Sequence, residues 1–330
     1  MRLWWVFFAL SRGKRHGLPA PTEGTQVGLP YTKPPLSFDE QVDRLTGRGM
    51  TIGDRDRARE VLSHISYYRL SAYWYPFREH PSDRFHAGTS FEQILAVYEF
   101  DRELRLLVLD AIERAEVMLR TTLTYEVTHA ATHGFAHQDP RNFTDSSRHQ
   151  RWYSNLLDDT RRASERFLEH FRTKYDGFPE IPLWMASEVM SFGMLSMMLK
   201  MLTHPLQNRV AATLGVHREV AVSWCHSVAH VRNICAHHGR LWNRELGISP
   251  KLPRHQPEWR LPSNGRVYAV LCILRRLTEN CSGGDQWAVN LCSFLSRLDG
   301  SPERQRSMGI PADWKSSAFW RSATKPGHVT

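Results

Sequence analysis

The feature that most limits the fold of this chain is the stretch from residue 91 to residue 127, which contains neither proline nor glycine. Within it, apolar side chains recur at steps of three and four residues, which is the period of an amphipathic α-helix. The stretch therefore predicts one long helix, with Thr89 or Ser90 as its N-cap. The apolar positions are Phe100, Leu104, Leu107, Val108, Ala111, Ile112, Ala115, Leu119 and Leu123.

Shorter helical patterns flank this stretch on both sides. Ser37 and Glu40 form a capping-box pattern at the start of a first helix. Segment 149–175 predicts another helix, and the methionine-rich segment 183–202 predicts a buried helix interrupted near Gly193. No segment shows the alternation of a strand, and the sequence has no hairpin signal and no internal repeat. The fold prediction is therefore all-α, a helical bundle with one long central helix and additional packed helices.

We expect one folded domain over residues 34–300, because no clean linker divides it. Residues 1–33 are expected to form a disordered extension, and residues 301–330 a C-terminal tail. The apolar run 3–10 is too short to span a bilayer, which takes about 20 residues. A signal-peptide core is an alternative for this run, although the basic residues that follow it at once are rare at secretory cleavage sites.

The composition favours a polyanionic partner and a reducing compartment. The formal net charge is +9, which suits nucleic acid or an anionic surface. The five cysteines are odd in number, and none forms a Cys-x-x-Cys pair, so they do not resemble a disulfide framework. A cytoplasmic location is therefore predicted.

The candidate chemistry lies in the stretch VRNICAHHGRLWNR, residues 231–244. Arg232 and His237 are five positions apart, which is about 140° around a helix, so one helix presents them on neighbouring edges. If two such helices met across a two-fold axis, Arg232 of one chain could lie beside His237 of the other. Gly239 is predicted to end the helix in a left-handed C′ conformation, which would place His237 and His238 at the negative end of the helix dipole.

An arginine and a histidine in a basic setting can cleave RNA without a metal. We expect His237 to move a proton while a 2′-OH attacks the adjacent phosphate, because imidazole suits acid–base chemistry near neutral pH. Arg232 would stabilise the charge on the phosphoryl oxygens, and Asn233 would orient either group. The predicted RNA-binding residues are Tyr68, Arg69, His238, Arg240, Trp242, Asn243 and Arg244.

Other interpretations stand beside this one. His226 and His230 have the spacing of zinc ligands on one helical face, but the glutamate of a His-Glu-x-x-His motif is missing. Cys225 and Cys235 are better interpreted as small core residues. We therefore expect neither a metal nor a cofactor.

Aromatic and charged side chains elsewhere also have two interpretations. The aromatics of segment 67–78 either pack in the core, which we favour, or stack on bases. The residues from Arg240 to Arg244 either grip substrate or form scaffold. Asp101 and Arg105 are interpreted as one of several surface ion pairs on the long helix, with the alternative that some of these charges hold the Arg232 helix in place.

Segments spread over about residues 33–315 resemble, in the same order, the Abi family of abortive-infection proteins, in particular the AbiD/AbiF-like group of bacterial antiphage proteins. That family is placed in the HEPN superfamily, whose members are helical bundles with an R-x4–6-H motif. The similar segments are KPPLSFDEQVDRLTGRGM, ISYYRLSAYWYPFR, GTSFEQILAVYEFDRELRLLVLDAIERAEVMLR, LWMASEVMSFGMLS, RNICAHH, RLWNREL and GIPADW.

This resemblance implies a metal-independent endoribonuclease with an active site shared across a homodimer, acting in growth arrest during phage infection. Some relatives are thought to be controlled by a small RNA encoded beside them. Carried over to this chain, the motif residues are Arg232, Asn233 and His237. The resemblance implies RNA as the partner. No membrane partner is predicted. The alternative is a non-catalytic HEPN module that binds RNA or protein.

Overall fold

The computed structural model describes residues 32–324, and in this range the chain is all-α, as predicted. Within the described residues, β-type pairing is limited to three isolated bridges. The helices are α1 (Phe38–Gly47), α2 (Arg55–His64), α3 (Tyr67–Trp74), α4 (Phe91–Ala131), α5 (Ser146–Arg162), α6 (Arg166–Lys174), α7 (Leu183–Val189), α8 (Phe192–Met201), α9 (His204–Thr213), α10 (Arg218–Ala236), α11 (Val267–Thr278), α12 (Gly284–Ser296) and α13 (Pro302–Met308).

Helix α4 is the central element of the fold, and its 41 residues confirm the long helix predicted from the sequence. Ser90 caps it, since the Ser90 side chain accepts the N–H of Gln93 at 3.1 Å. One stripe of α4 is buried against α3, α7, α9, α10, α11 and α12. Because each fully buried aliphatic side chain stabilises the fold by about 1.5–3 kcal/mol, this stripe organises the whole core.

Among the shorter helices, the cap of α1 is as predicted from the sequence, while two helix boundaries differ from the prediction. Ser37 and Glu40 form the predicted capping box of α1. Segment 149–175 is two helices, because the extended backbone at Ala163 ends α5 before α6 begins. The predicted interruption near Gly193 lies earlier, where the Ser191 side chain caps α8 by accepting a backbone N–H.

The C-terminal segment 302–320, part of the predicted tail, packs on the same core. The Trp320 Nε1–H donates to the Tyr268 hydroxyl at 3.1 Å, and the rings of Phe319 and Trp259 meet edge to face. The predicted extension over residues 1–33, with its apolar run, lies outside the described residues except for its last two positions. No helix within residues 32–324 combines the length and the apolarity that a bilayer crossing requires.

A buried histidine pair joins α5 to the loop that follows α4. His137 is 1% exposed, and its carbonyl oxygen accepts a hydrogen bond from His149 Nε2 at 2.8 Å. Burial, and to a smaller extent the charges of His149 and His133, lower the pKa of His137 to about 4. The native fold therefore holds this imidazole neutral far below its ordinary pKa.

We expect this pair to make the stability of the protein sensitive to acid. Between pH 6.5 and pH 4 the unfolded chain takes up a proton at His137 that the native chain does not. The free energy of unfolding should therefore fall by about 3 kcal/mol as the pH decreases through this window. Urea denaturation across the window should show a flatter pH dependence for His137→Phe. The exposed control His129→Gln should keep the wild-type slope, and equal slopes for wild type and His137→Phe would contradict the assignment.

Candidate active site at the end of helix α10

Helix α10 is held in place by one apolar face. This face packs against α4, α8 and α9, and Val222 at its edge is only partly buried. The Trp224 Nε1–H donates to the Lys251 carbonyl at 2.9 Å and ties the helix to the loop that follows. The buried residues of the face include Ala221, Trp224, Cys225, Val228, Val231 and Cys235.

The cysteines of α10 are core residues, as predicted. Cys225 and Cys235 are buried, and burial raises the pKa of each thiol to about 12. Within residues 32–324 no three histidine, cysteine or acidic side chains lie together as metal ligands would. His226 and His230 lie on the outer side of α10, and burial is the main cause that lowers the pKa of both imidazoles.

The outer face of α10 carries the histidine of the candidate site. His226, His230, Asn233 and His237 follow one another at steps of four, three and four residues, so they share one side of the helix. His237 and Asn233 are exposed. Arg232 lies on a neighbouring edge and is partly exposed, with its Nη1 3.5 Å from the Asn233 Oδ1. The offset of about 140° between Arg232 and His237 is therefore that of an unbroken helix.

The helix ends in a Schellman motif, but not with the residue that the sequence suggested. Its C-cap is His237, and the left-handed C′ position is occupied by His238, with φ 57°, instead of Gly239. The N–H of His238 donates to the Cys235 carbonyl and the N–H of Gly239 to the Ile234 carbonyl, which completes the motif. A Cβ at Gly239 would come within 3.2 Å of Ile234, so close packing accounts for the glycine. The non-glycine residue at φ 57° is a strained backbone position next to the candidate site.

The loop after the helix is anchored by Asp101 of α4, which is fully buried. Asp101 Oδ1 accepts the backbone N–H groups of Leu241 and Trp242, at 3.0 and 2.5 Å. Asp101 Oδ2 accepts the Tyr73 hydroxyl at 2.7 Å and a guanidinium N–H of Arg105. Asp101 and Arg105 are therefore a buried pair and not the surface ion pair of the favoured interpretation.

This anchor is the functional feature that sequence reasoning identified only as an alternative. The signal was an Asp–Arg pair at i,i+4 in which each residue directly follows a core position, Phe100 or Leu104, on a buried side of the long helix. Burial raises the pKa of Tyr73, and the Asp101 carboxylate raises it further, so the phenol stays protonated and can donate. Asp101 thus links α3 and α4 to the backbone directly after the Arg232–His237 helix.

Most of the predicted RNA-binding residues surround this same turn. Arg69 of α3 donates from Nη1 to the His238 carbonyl at 2.8 Å. Arg244 donates from Nη1 to the Arg240 carbonyl at 3.0 Å, and Asn243 has a left-handed backbone with φ 49°. The structure therefore brings residues of α3 and of the loop together at the end of α10.

The aromatic residues divide between core and surface. Tyr68, next to Arg69, is 87% exposed and presents its ring to solvent. Tyr73 and Trp74 are buried, as the core interpretation of segment 67–78 requires. Trp242 is only 5% exposed, so its indole has a scaffold position, and Tyr68 is the predicted residue whose ring is accessible for stacking on a base.

Comparison with known proteins agrees with the sequence resemblance at the level of the family. A family model of Abi-like proteins matches residues 60–243, more than half of the chain. The matched range includes Asp101, Arg232 and His237 and ends at Asn243, so it contains both the anchor and the candidate motif. Neither the curated proteins nor the solved structures gave a match. Because the family model matches more than half of its residues, the chain belongs to the Abi-like protein family.

Proposed function

We propose that this protein is a metal-independent endoribonuclease of an abortive-infection system, of the AbiD/AbiF-like group and the HEPN superfamily. The observation that carries the proposal is the accessible end of α10, where Arg232 and His237 adjoin a turn rich in arginine. Membership of the Abi-like family supports a role in antiphage defence. The protein would act in the cytoplasm on RNA as a toxin, with a small RNA as its regulatory partner.

The proposed reaction is an intramolecular transesterification of RNA. The 2′-oxygen of one nucleotide forms a bond to the adjacent phosphorus, and the bond from phosphorus to the 5′-oxygen of the next nucleotide breaks. The 2′-OH loses its proton to a base, and the leaving 5′-oxygen gains a proton from an acid, so the products are a 2′,3′-cyclic phosphate and a 5′-OH. These proton transfers require a titratable side chain at the phosphate.

Each residue of the motif has a role in this reaction that its position supports. His237 is exposed at the C-cap of α10 and is assigned the proton transfer. The Arg232 guanidinium is assigned the role of stabilising the negative charge that develops on the non-bridging oxygens. Asn233 shares the outer face with His237 and lies beside Arg232, so it can orient either group.

The angular offset of the motif supports a site completed by two chains. Because Arg232 and His237 lie about 140° apart around one helix, a single α10 does not direct both at one phosphate. A two-fold arrangement of two α10 helices would place Arg232 of one chain beside His237 of the other, and would form two such sites. The proposal therefore includes a homodimer as the active species.

The test is RNA cleavage by the purified full-length protein in the presence of EDTA. We expect cleavage to continue without free divalent metal and to leave 2′,3′-cyclic phosphate ends, which end-specific enzymatic treatment detects. His237→Ala should abolish it, and the matched control His226→Ala, exposed on the same face, should retain cleavage. RNA binding by the wild type without cleavage would favour the non-catalytic module, and cleavage abolished by EDTA would favour a metallohydrolase.

A further inference from the structure

Three guanidinium groups converge on the loop that follows α10, and we call Arg240, Arg244 and Arg266 the arginine triad. Arg244 donates to the Arg240 carbonyl at 3.0 Å, and the Arg266 Nη1 lies 3.4 Å from the Asn243 Oδ1. All three are partly buried. The Arg240 Nη1 is shielded from solvent, and no group within residues 32–324 accepts its hydrogen bonds.

The charge of the arginine triad is not balanced by the acidic groups around it. None of the salt bridges formed by the described residues involves these arginines. The buried carboxylate whose charge acts on Arg240 is Asp101, and its two oxygens already accept four donors. Burial lowers the pKa of Arg240, and the charges of Arg244 and Arg266 lower it further against the opposing effect of Asp101. Like charges held together in a partly desolvated place are costly unless an anion lies among them.

The supporting backbone is fixed before any ligand binds. Asp101 holds the N–H groups of Leu241 and Trp242, directly between Arg240 and Asn243. Asn243 has a left-handed backbone, and its side-chain oxygen accepts a hydrogen bond from Arg266, at the start of α11. Donors that are already oriented lose little conformational entropy on binding, which is the property of a built anion site.

We propose that the arginine triad binds a phosphate group of single-stranded RNA next to the nucleotide that is cleaved. A planar guanidinium presents two parallel N–H donors that match phosphate oxygens. Among the described contacts, Arg244 and Arg266 each use only Nη1 in a hydrogen bond to the loop, so their other N–H donors supply this match. Arg266 is an addition to the RNA-binding residues predicted from the sequence. The assignment rests on the proposed function for the identity of the RNA, while the binding of phosphate stands on the geometry. The triad positions substrate and does not contact the reacting atoms.

The experiment measures RNA binding in the full chain carrying His237→Ala, so that the RNA is not consumed. A fluorescent single-stranded RNA of about 12 nucleotides is titrated by anisotropy at several salt concentrations. Adding Arg266→Gln should weaken binding about tenfold, since a hydrogen bond to a charged group is lost. The slope of log affinity against log salt should decrease in magnitude by about 0.7 for the lost phosphate contact. Arg266→Lys, which keeps the charge but loses the planar fork, should give an intermediate loss.

The control is Arg304→Gln, which removes an exposed arginine of α13 and should leave both the affinity and the salt slope unchanged. Far-UV circular dichroism and thermal melting establish that each variant is folded. If Arg266→Gln does not fold, Arg244→Gln takes its place with the same expected loss. Unchanged RNA affinity and salt slope in the folded variant would overturn the proposal.

Two further comparisons distinguish free phosphate from RNA as the ligand, and separate the binding proposal from the proposed nuclease activity. Inorganic phosphate should raise the melting temperature of the His237→Ala chain, and the rise should be smaller with Arg266→Gln. A rise that depends on Arg266 without any effect on RNA affinity would assign the site to free phosphate and overturn the RNA assignment. Because no cleavage is measured, RNA binding that depends on Arg266 would support the triad even if the wild type proves inactive.

Discussion

Mixing two inactive variants should restore activity: we expect Arg232→Ala and His237→Ala chains, combined in equal amounts, to recover about a quarter of the wild-type rate of RNA cleavage. Random pairing makes half of the dimers heterodimers. Each heterodimer has one site with both residues intact and one site with neither. A site shared between two chains predicts this recovery. A site in which one chain supplies both residues predicts none.

Each variant alone should lose most of its activity. Removing one group that stabilises charge in a transition state lowers kcat by about 10²–10³, and removing an acid–base group lowers the rate by about 10²–10⁴. The measurement is the initial rate of cleavage after the two chains are co-expressed or allowed to exchange subunits. Against such low backgrounds, recovery to a quarter of the wild-type rate is easily resolved.

The matched control mixes Arg232→Ala with the double variant Arg232→Ala, His237→Ala. No dimer in that mixture has an intact site, so it should stay at the background rate. If the first mixture also stays at background while size-exclusion chromatography shows normal dimers, both residues act within one chain. If the active wild type is a monomer at the assay concentration, the two-chain site is excluded directly.

Much of the fold could be predicted from the sequence because its signals are local. The absence of helix breakers and the three- and four-residue period of residues 91–127 are sufficient to predict α4, and Ser37 with Glu40 is sufficient to locate the start of α1. The turn between α5 and α6 is different. Its extended residue, Ala163, is an ordinary helix former, so nothing in the local pattern marks the break.

The sequence was sufficient to predict the motif of the candidate site, but not the contacts that hold it in place. Arg232 and His237 lie five positions apart in the sequence, whereas the anchor joins Asp101 to Leu241 and Trp242, far along the chain. Periodicity does not report such pairs. The left-handed His238 also departs from the prediction, since glycine is the usual residue there and the neighbouring Gly239 was the simpler choice.

The buried anchor leads to the largest expected effect on stability. Asp101→Asn should lower the free energy of unfolding by about 3–5 kcal/mol, because it leaves the Arg105 guanidinium buried without its carboxylate. The side chain of Arg105 is only 6% exposed, so water does not replace the lost partner. Asparagine keeps the size of aspartate and one acceptor oxygen, but its amide nitrogen would face the donors of Arg105.

The same helix supplies a matched control. Asp110 and Arg114 are an Asp–Arg pair with the same i,i+4 spacing, at the surface of α4. Asp110→Asn should cost less than about 1 kcal/mol, as exposed ion pairs do. Urea denaturation at neutral pH gives the free energy of unfolding of both variants. Equal losses would show that the burial of Asp101 does not increase its contribution to stability.

A second substitution identifies the cause of the loss. In the double variant Asp101→Asn, Arg105→Met the buried charge is gone, while the asparagine oxygen can still accept the N–H groups of Leu241 and Trp242. We expect this chain to be more stable than Asp101→Asn alone, with a coupling energy of about 1–3 kcal/mol between the two sites. If the double variant is instead less stable than the single one, the loss comes from the loop contacts and not from the unpaired guanidinium. In either case Asp101 joins the long helix to the turn beside His237, so its substitution reaches the candidate site through the backbone that carries Arg240 and Arg244.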